Sequence, residues 1–431
     1  MVERKLPKLD AAGSIPVSRS ISCACIRSLP AMDKNHFKSK RQSDKAVKSF
    51  CVSFHPSSFI LHPFLFTLSL CLSATLFFSG CSSAVKPQTP QDTVKDHYQA
   101  GMKLIGTKDA AKADAEFLRA VELDKKSPLG YAGMAALEMS RSNYKNVITY
   151  ANNALRCDRK FTEAGIIKGR AIMARGRKNW PQAAKSAFQN VLDVDPQNKG
   201  ALFYLGEACL YSFQFKEAQG YYAQRAELKD SLATSAVDRI KLTIRILALN
   251  QISDSDKLIA LSEKATRSEI CQLLLDELKL KDLLRIHRLP LFESAFSEGV
   301  AKRKIPPDIR GRSDRRTILD ITSLHMPDMD VYPNGNFYPL RTVNRAEFAL
   351  MVQDIMVLLN DDQTLATKYS DSESDFPDIR PDYFAFNAIM ISFNEGIMKP
   401  DPDTGRFNTD NPVSGIDAIE MIRALGGMYS Q

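Results

Sequence analysis

The chain has 431 residues, with 58 Lys and Arg against 50 Asp and Glu, a formal net charge of +8. The excess sits at one end: residues 1–50 hold eleven Lys/Arg and four Asp/Glu, so the remainder is close to neutral. That distribution excludes nucleic-acid binding through a body-wide basic surface. Five of the eight cysteines (Cys23, Cys25, Cys51, Cys71 and Cys81) also fall in this early part of the chain. Cys157, Cys209 and Cys271 remain, too few and too widely spaced for a disulfide framework or a zinc site, and are expected to behave as small buried hydrophobes.

From Ser49 to Val85 there is no Asp, Glu, Lys or Arg. The twenty-two mostly apolar residues from Phe59 to Gly80 end at Ser79-Gly80-Cys81, followed by a polar stretch. The run is just long enough to span a bilayer, but Pro63 and the small-residue stop before a cysteine suit a signal peptide better. The segment resembles a bacterial lipoprotein signal peptide with Ser79-Gly80-Cys81 as the lipobox core; Phe78 stands where the usual pattern has Leu. The basic leader is too long for a signal n-region and lacks apolar periodicity. Residues 1–80 therefore read as a mis-started leader plus signal peptide, with the true start at Met32 or near residue 50; the alternative is a cytoplasmic basic tail. The resemblance implies that Cys81 takes the lipid as the mature N-terminus. Residues 81–93 are then a lipidated linker spanning roughly 20 Å as a coil. Ser82 after the cysteine implies sorting to the outer membrane, with the body facing the periplasm or the cell surface.

Beyond the linker the chain repeats itself. Ala113, Phe117, Ala120 and Asp124 return 34 residues later as Val147, Ala151, Ala154 and Asp158. Ala184, Phe188, Val191 and Asp195 form the next copy, displaced by three extra residues around Gly176–Trp180, and Ala218 and Tyr222 follow at 34 again. The first helices of these pairs carry Gly101, Ala135, Gly169 and Gly206. These residues resemble the tetratricopeptide repeat, in four copies at about 94–127, 128–161, 162–198 and 199–232, within a repeat domain at 94–232. A helical hairpin cannot bury its apolar face alone, so copies stack and offer a concave surface to a protein partner, or else act as a spacer. A basic cluster (Lys168, Arg170, Arg175, Arg177 and Lys178) in the third copy is either a solvated face or a contact for an acidic partner.

A second repeat occupies the C-terminal third. Asp308, Ile309, Arg310, Gly335, Phe337 and Val343 all recur at an offset of 70, as Asp378, Ile379, Arg380, Gly405, Phe407 and Val413. Each unit reads as a helix, a Gly turn and a short extended piece, then a second helix with its apolar stripe at i, i+3, i+4, i+7. Asn344-Arg345-Ala346-Glu347 resembles the signature of the S-layer homology motif, Thr266-Arg267-Ser268-Glu269 is similar to it, and Ser414-Gly415-Ile416-Asp417 is a third copy. The resemblance implies a pseudo-threefold helical domain with a degenerate motif 1 at 233–305, motif 2 at 306–360 and motif 3 at 376–431. Residues 361–375 read as an acidic linker.

Thr266 with Glu269, Asn344 with Glu347 and Ser414 with Asp417 have the spacing of capping boxes, which explains the first and fourth signature positions structurally. Arginine at the second position gains nothing from a helix N-terminus. The family resemblance implies instead that Arg345 and Arg267 contact an acidic cell-wall glycan, since a guanidinium matches carboxylate or phosphate bidentately. Gly415 at that position implies an inactive third groove. Asp401-Pro402-Asp403-Thr404-Gly405 lacks the EF-hand spacing and reads as a plain turn. No catalytic motif, cofactor site or metal-ligand spacing appears. The expectation is a mainly α, non-enzymatic envelope lipoprotein that tethers the outer membrane to a cell-wall polymer or peptidoglycan and presents a repeat surface to a protein partner. The alternative is an assembly factor for an outer-membrane or secretion complex.

Overall fold

The computed structural model describes residues 89–90, 92–228, 233–297 and 304–429. Cys81 and the apolar run before it lie outside the described residues. Among the described residues no helix is long and apolar enough to cross a membrane.

Eight helices form four consecutive antiparallel pairs: α1 Val94–Gly106 with α2 Ala110–Leu123, α3 Pro128–Ser140 with α4 Tyr144–Cys157, α5 Thr162–Arg175 with α6 Trp180–Leu192, and α7 Lys199–Leu210 with α8 Phe215–Glu227. Polar caps start several of them: Thr93 accepts from the Asp96 amide, and Ser127 precedes Pro128 at the first helical position. Every turn within a pair places one residue in the left-handed region: Lys108, Ser142, Gly176 and Phe213. Glycine fills it at no steric cost only in the third pair.

Volume complementarity locks the pairs. Phe117 is fully buried, and a Cβ on Gly101 or Gly133 would come within 2.4 or 2.1 Å of its ring. Phe188 lies against Gly169 and Tyr222 against Gly206 in the same way. Where the aromatic is absent, the second pair sets Ala151 against Ala135, both at 0% exposure. The chain therefore exchanges a large–none pair for a small–small pair at the same crossing in successive repeats, as close packing demands.

Helix α9 (Ala233–Ala248) closes the stack on α8. It carries Arg239, which pairs with the buried Glu207 carboxylate at 2.9 Å, while the Tyr222 hydroxyl donates to the same carboxylate at 2.6 Å. The other side of α9 meets the C-terminal domain. Arg245 donates to Asp417 at 2.5 Å and to Glu420 at 2.6 and 3.0 Å. Arg423 donates to Glu277 and to the Leu249 and Gln251 carbonyls. A single apolar core runs from the third repeat through α9 into the C-terminal domain. Residues 233–248, expected in motif 1, thus serve as the seam between the two halves.

The C-terminal domain contains α10 Asp254–Ala260, α11 Arg267–Asp276, α12 Leu280–His287, α13 Leu289–Phe292, α14 Arg315–Thr322, α15 Arg345–Asn360, α16 Phe386–Asn394 and α17 Gly415–Tyr429. The acidic stretch after α15 is packed rather than free. Asn387 of α16 donates to the Leu365 carbonyl at 2.8 Å and accepts from the Tyr369 amide at 2.7 Å, which pins that stretch to the helix.

Candidate functional site

The three signatures meet at one point. The residues just before them, Ala265, Val343 and Val413, close a ring of backbone hydrogen bonds. Ala265 N–H donates to Val413 (2.7 Å), Val413 N–H to Val343 (3.0 Å) and Val343 N–H to Ala265 (2.9 Å). All three are buried. Two of the joints are antiparallel bridges, Thr266 with Thr342 and Asn344 with Pro412. The first free amides of each signature helix are taken by the next motif: Arg267 and Ser268 donate to the Arg341 and Pro339 carbonyls, Arg345 and Ala346 to those of Asn411 and Thr409. These helix N-termini are therefore consumed internally.

The signature side chains divide by role. The Thr266 and Asn344 side-chain oxygens accept from the amides of Glu269 and Glu347, whose carboxylates reach back to the Thr266 and Asn344 amides. Ser414 accepts from the Asp417 amide at 3.2 Å and donates to its carboxylate at 2.6 Å. Asp417, one methylene shorter than Glu, is also held by Arg245.

Each arginine grips the turn of the following motif. Arg267 is 2% exposed. Its guanidinium donates to the Phe337, Asp328 and Asp330 carbonyls at 3.1, 2.8 and 3.0 Å and lies over the rings of Phe337 and Tyr332. Arg345 repeats the pattern one motif on, donating to Phe407 at 2.7 Å and Lys399 at 2.6 Å, with Phe407 below it. Arg345 stays half-exposed, and burial holds its guanidinium below its ordinary value against the pull of Asp417 and Asp378. The turns themselves are set by Asp308, whose carboxylate accepts from the Phe337 and Tyr338 amides, and by Asp378, which accepts from those of Phe407 and Asn408. Asp401 accepts from the amides of Asp403 and Thr404 in a turn.

The third position differs. Gly415 N–H donates to the Ser262 carbonyl at 2.8 Å, and a Cβ there would lie 1.7 Å from the Ile259 carbonyl oxygen. Helix α10 fills the place that a Gly-Phe turn takes in the other two motifs, so the third groove is closed by the chain itself.

Sequence reasoning missed the residues around the turn that Arg267 grips. Arg341 donates to the Tyr332 hydroxyl at 2.5 Å and pairs with Glu347, and Tyr338 projects beside Tyr332 with 41% of its surface exposed. At the offset of 70 the corresponding residues are Pro402, Asn408 and Asn411. Tyr338 and Asn408 share a positive φ of 56° and 57°, which Asn adopts far more readily than Tyr. That mismatch is visible in the sequence only once the repeat is aligned.

The S-layer homology domain family matches residues 329–349 and 375–419. The C-terminal part carries an S-layer homology domain. The match falls on motifs 2 and 3, and the ring through Ala265 joins motif 1 to them. For the repeats, the small glutamine-rich tetratricopeptide repeat-containing protein 2 of Mycosarcoma maydis is 31% identical over 99 residues, which are 23% of this chain. The chain spans 27% of that relative's length. YrrB, a solved TPR protein described as having an unusual peptide-binding site, is 17% identical, with 38% of this chain and 81% of that one covered and a TM-score of 0.31. S-layer homology domains associate with the cell envelope, and tetratricopeptide repeats are protein-interaction modules.

Proposed function

We propose that the protein is an envelope lipoprotein, anchored by lipid at Cys81, that ties the outer membrane to a cell-wall polymer and offers its repeats to a protein partner. The half-exposed guanidinium of Arg345, held by two carbonyls over Phe407 where motif 2 meets motif 3, carries the reading. It is a pre-oriented cation with an edge to spare for an acidic group of the polymer. Arg267, expected as a second direct contact, is spent on three carbonyls and acts by holding the turn that bears Tyr332, Tyr338 and Arg341. The groove between motifs 1 and 2 then meets the polymer through those residues. Cosedimentation of the full-length protein with purified sacculi tests the wall arm, and palmitate labelling lost in Cys81→Ala tests the lipid arm. A protein that neither sediments nor takes label contradicts the proposal.

A further inference from the structure

A cavity of about 250 Å³ opens where the end of the second repeat meets α5 and α6 of the third, lined by Phe161, Ala187 and Val191 together with Arg159, Lys160 and Lys168. It is smaller than the roughly 300–1,000 Å³ of a drug-sized ligand site, and suits one large side chain.

Comparison among the four repeats explains why the space exists. The position of Gly165 is occupied by His97, Tyr131 and Leu202 in the other copies, and that of Ala187 by Glu116, Tyr150 and Tyr221. The two positions face each other: His97 Nδ1 lies 2.6 Å from the Glu116 carboxylate. Only the third copy fills neither. The position of Lys168 is Ala100, Met134 and Leu205 elsewhere, so a cation replaces an apolar residue beside the vacancy. Gly165 makes room for Val191, which stands where the first two copies have Ala120 and Ala154: a Cβ on Gly165 would come within 2.4 Å of the Val191 methyl.

The rim is electrostatically unfilled. Among the described residues the side chains of Arg159, Lys160 and Lys168 make no ion pair or hydrogen bond, and no carboxylate lines the cavity. The nearby Asp158 carboxylate accepts from the Lys160 amide at 2.9 Å. Arg170, placed by sequence in the same basic cluster, instead turns inward over the Tyr204 ring.

We infer that this cavity docks an acidic peptide segment, which inserts one large apolar side chain over Gly165 and Ala187 and sets its carboxylates on Lys168, Arg159 and Lys160. This rests on the reading of the repeat body as a partner-binding module and names the chemistry of the partner. An anionic glycan would satisfy the cations and leave the apolar slot empty.

The test pans a phage-displayed random heptapeptide library on detergent-solubilised full-length protein, then measures the selected peptide by fluorescence polarisation. Selected peptides are expected to pair Asp or Glu with Leu, Ile or Phe. Lys168→Met, the residue of the second repeat, should weaken binding roughly ten- to a hundredfold by removing a charge-assisted contact. Gly165→Tyr, Ala187→Tyr and Val191→Ala together rebuild the second repeat's Tyr131, Tyr150 and Ala154, and should abolish binding with helicity unchanged. If that triple variant does not fold, Lys168→Met and Lys168→Glu decide. Failure to enrich acidic-apolar peptides, or equal binding by the Lys168 or triple variants, overturns the proposal. Equal capture of polyglutamate and an acidic polysaccharide, insensitive to filling the slot, overturns it in favour of a merely electrostatic surface. Sacculus sedimentation of the unsubstituted protein is read in parallel: no peptide binding by it with sedimentation intact overturns this site and leaves the wall-binding reading standing.

Discussion

Gly415→Ala offers a sharp perturbation because helix propensity and packing predict opposite signs. By propensity alone, Ala in a helix is favoured over Gly by up to about 1 kcal/mol. By packing, the new Cβ would sit 1.7 Å from the Ile259 carbonyl oxygen, 2.6 Å from its carbon and 3.3 Å from the Ala260 nitrogen, all of them backbone atoms. A carbon–oxygen contact needs roughly 3.3 Å, so the end of α10 must retreat by about 1.5 Å. That movement breaks the Gly415–Ser262 hydrogen bond and pulls on the Ala265–Val413 bond of the ring. Two such bonds contribute about 1–3 kcal/mol, and overpacking strain adds about 1–3 kcal/mol. After the propensity gain the net loss is about 1–5 kcal/mol, a drop of roughly 2–20 °C in the C-terminal melting transition. Gly427→Ala in the same helix has nothing within 4 Å and should be neutral or raise the transition slightly. Thermal unfolding of both variants by circular dichroism is the assay. A Gly415→Ala protein that melts at or above the unsubstituted one refutes the closed-groove geometry.

Arg267→Met should cost about 3–5 kcal/mol in denaturant unfolding, because three carbonyls lose a buried cationic partner. Arg345→Ala, half-exposed with two such bonds, should cost about 1–2 kcal/mol, and equal costs for the two would contradict their different burial. Burial pushes the Asp354 carboxyl up to about 6 from 3.8, so the folded state holds an extra proton between these values. Stability from this group is full below about pH 4 and is lost as pH rises through 6. Asp354→Asn, whose amide oxygen still accepts from the Asp328 amide, should therefore gain about 1–2 kcal/mol over the unsubstituted protein at pH 7 and nothing near pH 4. A pH-independent difference would count against it. In the repeats, Gly169→Ala and Phe188→Ala should each destabilise, and a double-mutant cycle should show a favourable coupling of about 0.5–1.5 kcal/mol, because the pair then copies Ala135 and Ala151.

The helical pairs were legible because a solenoid repeats its packing: Phe117, Phe188 and Tyr222 with their facing glycines recur at fixed spacing, and burial follows spacing. The two Gly-Phe turns were legible for the same reason. What the sequence did not show are contacts made across long separations. Nothing local to Gly415 says that the Ile259 carbonyl lies against it, and an arginine there, which the repeat pattern invites, would not fit. Nothing local to Arg267 distinguishes a buried clamp from a glycan contact; the difference is made by carbonyls about sixty residues away. Arg170 looked like part of a solvated run because its partner, Tyr204, belongs to the next pair. The seam through Arg245, Asp417 and Glu420 was invisible because it joins segments that share no motif.

The central claim is that the C-terminal domain grips a wall polymer through its groove cations. Cosedimentation of the full-length Cys81→Ala protein with sacculi, with and without Arg345→Lys, tests it most directly. The account predicts that the arginine form sediments and that lysine, which cannot offer the bidentate fork, retains only part of the binding while the fold persists by circular dichroism. Failure of the arginine form to sediment, or equal sedimentation of both forms, would contradict it.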